Sequence, residues 1–181
     1  MSLILKNESN FIPAPEGVHD AVCVDVVDLG MVETTWKGKT KQTHKVRIAW
    51  ELDKEMPADE KTGEKKGRFI AMGRYTLSMD VKSNLRKMLK VWRGRDFSKE
   101  EMAGFDLEKI VGIPCQLVLT HSESNEGKTF ANIQSVLKAG DKKLSASGKY
   151  KRVKDREGYE PPSLKEASHD SDEDENDDIP F

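Results

Sequence analysis

Cysteine is scarce in this chain: Cys23 and Cys115 are the only two among 181 residues, and neither has a Cys-x-x-Cys partner. That excludes a zinc ribbon and a disulfide framework and leaves two buried thiols as the expectation. Long apolar runs are missing as well. No stretch approaches the ~18 residues of a membrane-spanning helix. The start, Met1-Ser2-Leu3-Ile4-Leu5-Lys6-Asn7, lacks the basic region and apolar core of a secretory signal, so a cytoplasmic protein is expected. The four histidines, His19, His44, His121 and His169, have no metal-ligand spacing, and no Gly-x-Ser-x-Gly, P-loop or His-Glu-x-x-His pattern is present. Hence no metal, no cofactor and no catalytic residue are expected. Pro57-Ala58-Asp59-Glu60-Lys61 holds carboxylates of the kind a metal-dependent nuclease uses, but in a turn-rich stretch without a second, strand-borne acid to share a metal.

Charge is abundant and segregated. Charged residues make up 34% of the chain against roughly 25% in an average domain, so some part is too polar to pack. Residues 166–181 carry eight acids and no Lys or Arg, which leaves 30 basic and 24 acidic side chains in residues 1–165. The net charge of −2 is therefore +6 on a body and −8 on a tail. Such asymmetry points to a body that meets polyanions and a tail with another task.

The hydrophobic period gives the order of elements. Residues 17–29 are rich in valine at even positions (Val18, Val22, Val24, Val26), the signature of a strand. After the basic, turn-prone Trp36-Lys37-Gly38-Lys39-Thr40-Lys41, a cleaner alternation puts Val46, Ile48, Trp50 and Leu52 toward a core and Lys45, Arg47 and Ala49 outward. Residues 53–67 read as a loop, and a third strand runs over residues 68–79. The period then changes: from Asp80 as N-cap, Val81, Leu85, Met88, Leu89 and Trp92 recur at helical spacing and Gly94 stops the run. Ser98 with Glu101 is a capping-box pattern opening a second short helical piece, and two further strands cover residues 113–120 and 128–137.

Five strands with a helical insertion between the third and fourth is the chain order of the OB-fold, a five-stranded Greek-key barrel, so the fold class expected is mainly β (α+β). The domain reading is an OB-fold body over residues 1–138, a flexible basic linker over 139–165, and a disordered acidic tail over 166–181. On such a barrel, residues 31–41 fall in the loop joining strands 1 and 2 and residues 121–127 in the loop joining strands 4 and 5. Those loops and the outer face of strands 2 and 3 are where OB-folds hold oligonucleotides.

Capture of a single strand without sequence preference needs cations spaced to meet phosphates and flat side chains for bases to stack on. Trp36 flanked by Lys37, Lys39 and Lys41, with Lys45 and Arg47 on strand 2 and Arg74 and Thr76 on strand 3, supply both. Trp36 is the stacking candidate. Trp50, Phe69 and Tyr75 share the parity of core residues, and Arg93 and Arg95 sit where cations favour a helix C-terminus. The rival reading of Lys37, Lys39 and Lys41 is an ordinary solvated hairpin turn.

The last residues, Asp177-Asp178-Ile179-Pro180-Phe181, follow Asp172-Glu173-Asp174-Glu175-Asn176. This acidic run ending in Ile-Pro-Phe resembles the C-terminal tip of bacterial single-stranded DNA-binding proteins. The resemblance implies that Asp177, Asp178, Ile179, Pro180 and Phe181 dock onto replication, recombination and repair proteins. A Phe ring in an apolar pocket is worth about 1.5–3 kcal/mol, a terminal carboxylate can be captured by a basic group, and the preceding acids steer the encounter. The barrel sequence and the long Gly-, Gln- and Pro-rich linker of the bacterial family are not found here. The body is instead similar to phage-encoded single-stranded DNA-binding proteins of the OB type, through Tyr75-Thr76-Leu77-Ser78, Trp92-Arg93-Gly94-Arg95 and Phe105-Asp106-Leu107 before Gly112. That resemblance implies a non-catalytic protein that coats strands during phage replication and recombination in the bacterial host cytoplasm. The expected partners are single-stranded DNA and repair or replication enzymes; no membrane is involved, and a homo-oligomer is compatible with the sequence. The alternative is a protein–protein adaptor that uses barrel and tail without DNA affinity.

Overall fold

The computed structural model describes residues 11–162. Five strands, β1 (Gly17–Trp36), β2 (Lys39–Glu55), β3 (Arg68–Thr76), β4 (Pro114–Glu123) and β5 (Thr129–Lys138), form one antiparallel sheet in the order β3-β2-β1-β4-β5. The helices α1 (Asn84–Arg93) and α2 (Lys99–Ala103) and a 3-10 turn (Leu107–Ile110) lie between β3 and β4. The protein is thus mainly β, with the expected order of three strands, helical segment and two strands. The two edge strands, β3 and β5, also come near each other.

The alternation in β2 builds the core. Val46, Ile48, Trp50 and Leu52 are all buried on one face, where they meet Ala21 and Cys23 of β1, Leu117 and Leu119 of β4, and Val136 of β5. Helix α1 covers this face with Leu85, Leu89 and Trp92. The Trp92 ring lies 6.0 Å from that of Trp50, and its Nε1 donates to the Pro114 carbonyl at 3.0 Å. Phe69 is buried and Tyr75 packs against the same cluster, as their parity implies. Each such large apolar side chain contributes about 1.5–3 kcal/mol by leaving water. Both cysteines are free and buried.

Helix α1 starts later than its spacing predicts. Ser83, not Asp80, is the N-cap, because the Asp80 carboxylate instead accepts from the Lys82 N–H in a turn of its own. Val81 therefore stays outside the helix and 71% exposed. The stop is as read: Gly94 adopts φ 73° and returns its N–H to the carbonyls of Lys90 and Val91. The Ser98–Glu101 capping box is also present.

Residues 31–41 do not form the expected loop. β1 and β2 stay paired until Trp36 faces Lys39, leaving a two-residue turn. Lys37 at φ 46° and Gly38 at φ 77° give the left-handed pair that a type I′ turn requires, and its twist matches that of the strands, so pairing runs to the tip. The result is a long two-stranded ribbon. Two register shifts in β1, one between Cys23 and Asp25 and one between Asp28 and Gly30, change which side chains face inward. Val22 and Val24 consequently lie on the opposite face from Val26, which packs on the main core, and form a second small cluster with Ala49.

That second cluster is closed by a segment expected to be a loose linker. Over its described part, residues 139–162, the chain returns across the outer face of the sheet. Leu144 is buried against Val22, Val24 and Ala49, with Tyr150 packed beside it. The Ser147 N–H donates to Glu51 Oε1 at 2.8 Å and its hydroxyl to Oε2 at 3.0 Å. Tyr150 Oη, Arg152 Nε and the Val153 N–H all donate to the Asp25 carboxylate, at 3.1, 3.0 and 2.9 Å. Asp25 and Glu51 are 0% and 2% exposed, and a buried carboxylate needs such donors. The flexible reading of these residues is corrected: they form an arm fastened at two buried acids.

Candidate nucleic-acid interface

β2 alternates without interruption from Lys39 to Leu52 in its pairing with β1, so Lys39, Lys41, Lys45 and Arg47 share the face opposite the core. Register extends that face sideways. Arg47 pairs with Arg74 and Lys45 with Thr76 on β3, while Trp36 pairs with Lys39 on β1. Directly paired residues point to the same side, so seven of the eight sequence-derived candidates share one surface. The eighth, Lys37, sits in the turn with its Nζ 5.8 Å from the Trp36 ring centroid. Between Lys39 and Arg47 this face carries no acid: its other members are Thr43 on β2 and Val27, Gly30, Val32 and Thr34 on β1. Glu33, Gln42, His44 and Asp28 point the other way, and His44 Nε2 lies 2.6 Å from Asp28 Oδ1.

The candidates fall into two groups along the ribbon. At the tip, Trp36 is 60% exposed with Lys37, Lys39 and Lys41 around it. On the body, Lys45 Nζ donates to Thr76 Oγ1 at 2.7 Å and Arg74 is exposed. Arg47 Nε is buried and, among the described residues, has no hydrogen-bond partner. Arg47 lies eight residue steps along the strand from Lys39, or roughly 26 Å at ~3.3 Å per residue. Cations over that length can meet several successive phosphates of an extended strand.

The arm bounds this surface. It crosses the outer face from Arg68 at the start of β3, whose Nη1 donates to the Ser145 carbonyl at 2.9 Å, through Glu51 on β2 to Asp25 on β1. It then reaches Gly30, where a Cβ would come within 2.7 Å of the Pro162 Cβ. Gly30 has φ 67° and is the one position on this face where both the backbone and the arm require glycine. Arg152 is held on its other side by a fork onto Glu108, Nη1 to Oε2 at 2.8 Å and Nη2 to Oε1 at 2.9 Å. That fork holds the Glu108 carboxyl below the ordinary glutamate range and raises the guanidinium of Arg152 further above its own. Burial, then the Asp25 carboxylate, push the Tyr150 hydroxyl up.

Sequence reasoning missed the arm, although signals existed. Asp25 interrupts a valine-rich strand and Glu51 sits between Trp50 and Leu52; acids so placed need donors from elsewhere in the chain. Leu144, Tyr150 and Val153 are apolar residues spaced along the segment that provides them.

Arg93 does not join the basic surface. It donates to Glu101 Oε1 at 2.6 Å and stacks 4.3 Å above the Phe97 ring, and Arg95 approaches the same carboxylate. The tip residues Asp177, Asp178, Ile179, Pro180 and Phe181 lie outside the described residues. Among the described residues no group of His, Cys, Asp and Glu is arranged to hold a metal ion, and no helix is long and apolar enough to cross a membrane. No protein-family model matches the chain, and no curated protein matches it either.

Proposed function

We propose that this is a single-stranded DNA-binding protein whose body is an OB-fold and whose outer face carries the strand. The observation that supports this most is the acid-free surface uniting Trp36, Lys39, Lys41, Lys45, Arg47, Arg74 and Thr76, with Lys37 at its tip. The element order and the pairing of β1 with both β2 and β4 fit a five-stranded Greek-key barrel. Phosphates meet the cations, and a base stacks on the exposed Trp36 indole. The resemblance of residues 177–181 to the bacterial tip supports a second role, recruitment of replication or recombination enzymes in the manner of phage-encoded proteins of this type.

The test is direct. Trp36→Ala combined with Lys37→Glu, Lys39→Glu and Lys41→Glu nearly eliminates oligonucleotide binding while the folded spectrum is retained. Unchanged binding in that variant would place the strand on another surface, and no binding by the wild type would instead support an adaptor that contacts proteins only.

A further inference from the structure

The arm that fastens onto Asp25 and Glu51 does more than cover apolar surface. Residues 139–162 contain seven cations, Lys142, Lys143, Lys149, Lys151, Arg152, Lys154 and Arg156, against four acids, Asp141, Asp155, Glu157 and Glu160. Three of the seven are committed to carboxylates: Lys142 to Asp53, Arg152 to Asp25 and Glu108, and Lys154 to Glu108. Lys149, Lys151 and Arg156 have no ion-pair partner among the described residues, and all three are exposed. Their placement is fixed by neighbours that point inward. Tyr150 and Arg152 turn down to Asp25, so Lys151 between them turns up. Arg156 folds back over the arm, its Nε donating to the Lys151 carbonyl at 3.1 Å and its guanidinium 5.5 Å from the Tyr150 ring. The stem of Lys149 lies beside Gly67, next to the start of β3.

This cluster adjoins the basic surface. Asp25, which anchors Tyr150, pairs with Ala49, one step along the same face from Arg47, and the charges of both Arg156 and Arg47 act on the Tyr150 hydroxyl. From Asp25 to Gly30 the arm follows β1, so the open part of the face is bordered by the arm on two sides and runs out along the ribbon toward Trp36. We propose that Lys149, Lys151 and Arg156 form the upper bank of the strand-binding groove and contact the sugar-phosphate backbone, so that the arm is part of the nucleic-acid site. The inference rests on the single-strand reading above and deepens it. The arm takes the place of the apolar upper half of the face, and the phosphates pass between its cations and Arg47, Lys45 and Arg74.

Counterion release makes this measurable, because each phosphate contact on a single strand contributes about 0.7 to the slope of log K against log salt. The full-length protein and the full-length triple variant Lys149→Ala, Lys151→Ala, Arg156→Ala are titrated with oligo(dT) by tryptophan quenching at several salt concentrations. A variant with a slope shallower by about 2, and with affinity reduced roughly a hundredfold near 0.1 M salt, is the expected result. Lys142→Ala, which removes an arm cation already paired with Asp53, keeps the wild-type slope. A wild type that binds alongside a triple variant of equal or higher affinity and equal slope overturns this inference alone. A wild type that does not bind removes the single-strand reading and this inference with it.

Discussion

Arg152 Nε donates to Asp25 Oδ1 at 3.0 Å, joining residues 127 positions apart in the chain. The contact fixes where the arm crosses the sheet, since the same guanidinium forks onto Glu108 on its far side. Replacing a buried ion pair by apolar groups is often neutral, but removing one partner is not. Arg152→Ala leaves the Asp25 carboxylate without its counter-charge and destabilises the protein by about 3 kcal/mol in urea unfolding. Lys154→Ala, which loses only a 3.8 Å contact at an exposed position, costs less than about 1 kcal/mol. Equal effects of the two would show that the arm is not fastened at Asp25.

The pH dependence follows from Glu108. Its pKa is lowered on folding, chiefly by the hydrogen bonds from Arg152, so it binds protons less readily in the folded state than in the unfolded one. Its contribution is present in full above the unfolded glutamate range and disappears as pH falls through the folded value. The stability gap between wild type and Glu108→Gln therefore narrows as pH falls below the unfolded glutamate range. A gap that stays constant over that window contradicts the role of the fork.

Both thiols are shielded. Burial pushes Cys23 up to about 12 and raises Cys115 in the same direction. Neither reacts with a disulfide reagent near pH 8 in the native protein, and both react once it is unfolded in guanidinium. Fast labelling of either under native conditions would mean that the cluster around Trp50 opens readily.

These features were unequally legible in sequence. The β2 alternation specified the inner and outer faces from residue type alone, because a one-residue slip would bury Lys45 and Arg47. That is why the body candidates were found with their correct orientation. The ribbon resembles a loop in sequence because a Lys-Gly pair is a weaker turn signal than Asn-Gly, although both its residues adopt the left-handed conformation. The arm has the composition of a linker; what holds it down is two acids more than 90 positions away, so its own local pattern does not show the attachment.

The acidic segment should compete with nucleic acid. Residues 166–181 carry −8 against +6 on the rest of the chain, and a Debye length of about 8 Å at physiological salt still permits attraction at close range. Removing residues 166–181 tightens binding to oligo(dT) at low salt and abolishes capture of partner enzymes. Weaker or unchanged binding of the shortened protein would rule out the competition.

The central claim is tested by titrating the full-length protein with oligo(dT) at two salt concentrations while following tryptophan fluorescence. Quenching with a log–log salt slope near −4 is expected if Lys37, Lys39, Lys41, Lys45, Arg47 and Arg74 each meet a phosphate, and steeper if the arm adds its own. Absence of quenching, or an affinity that does not change with salt, would contradict the account.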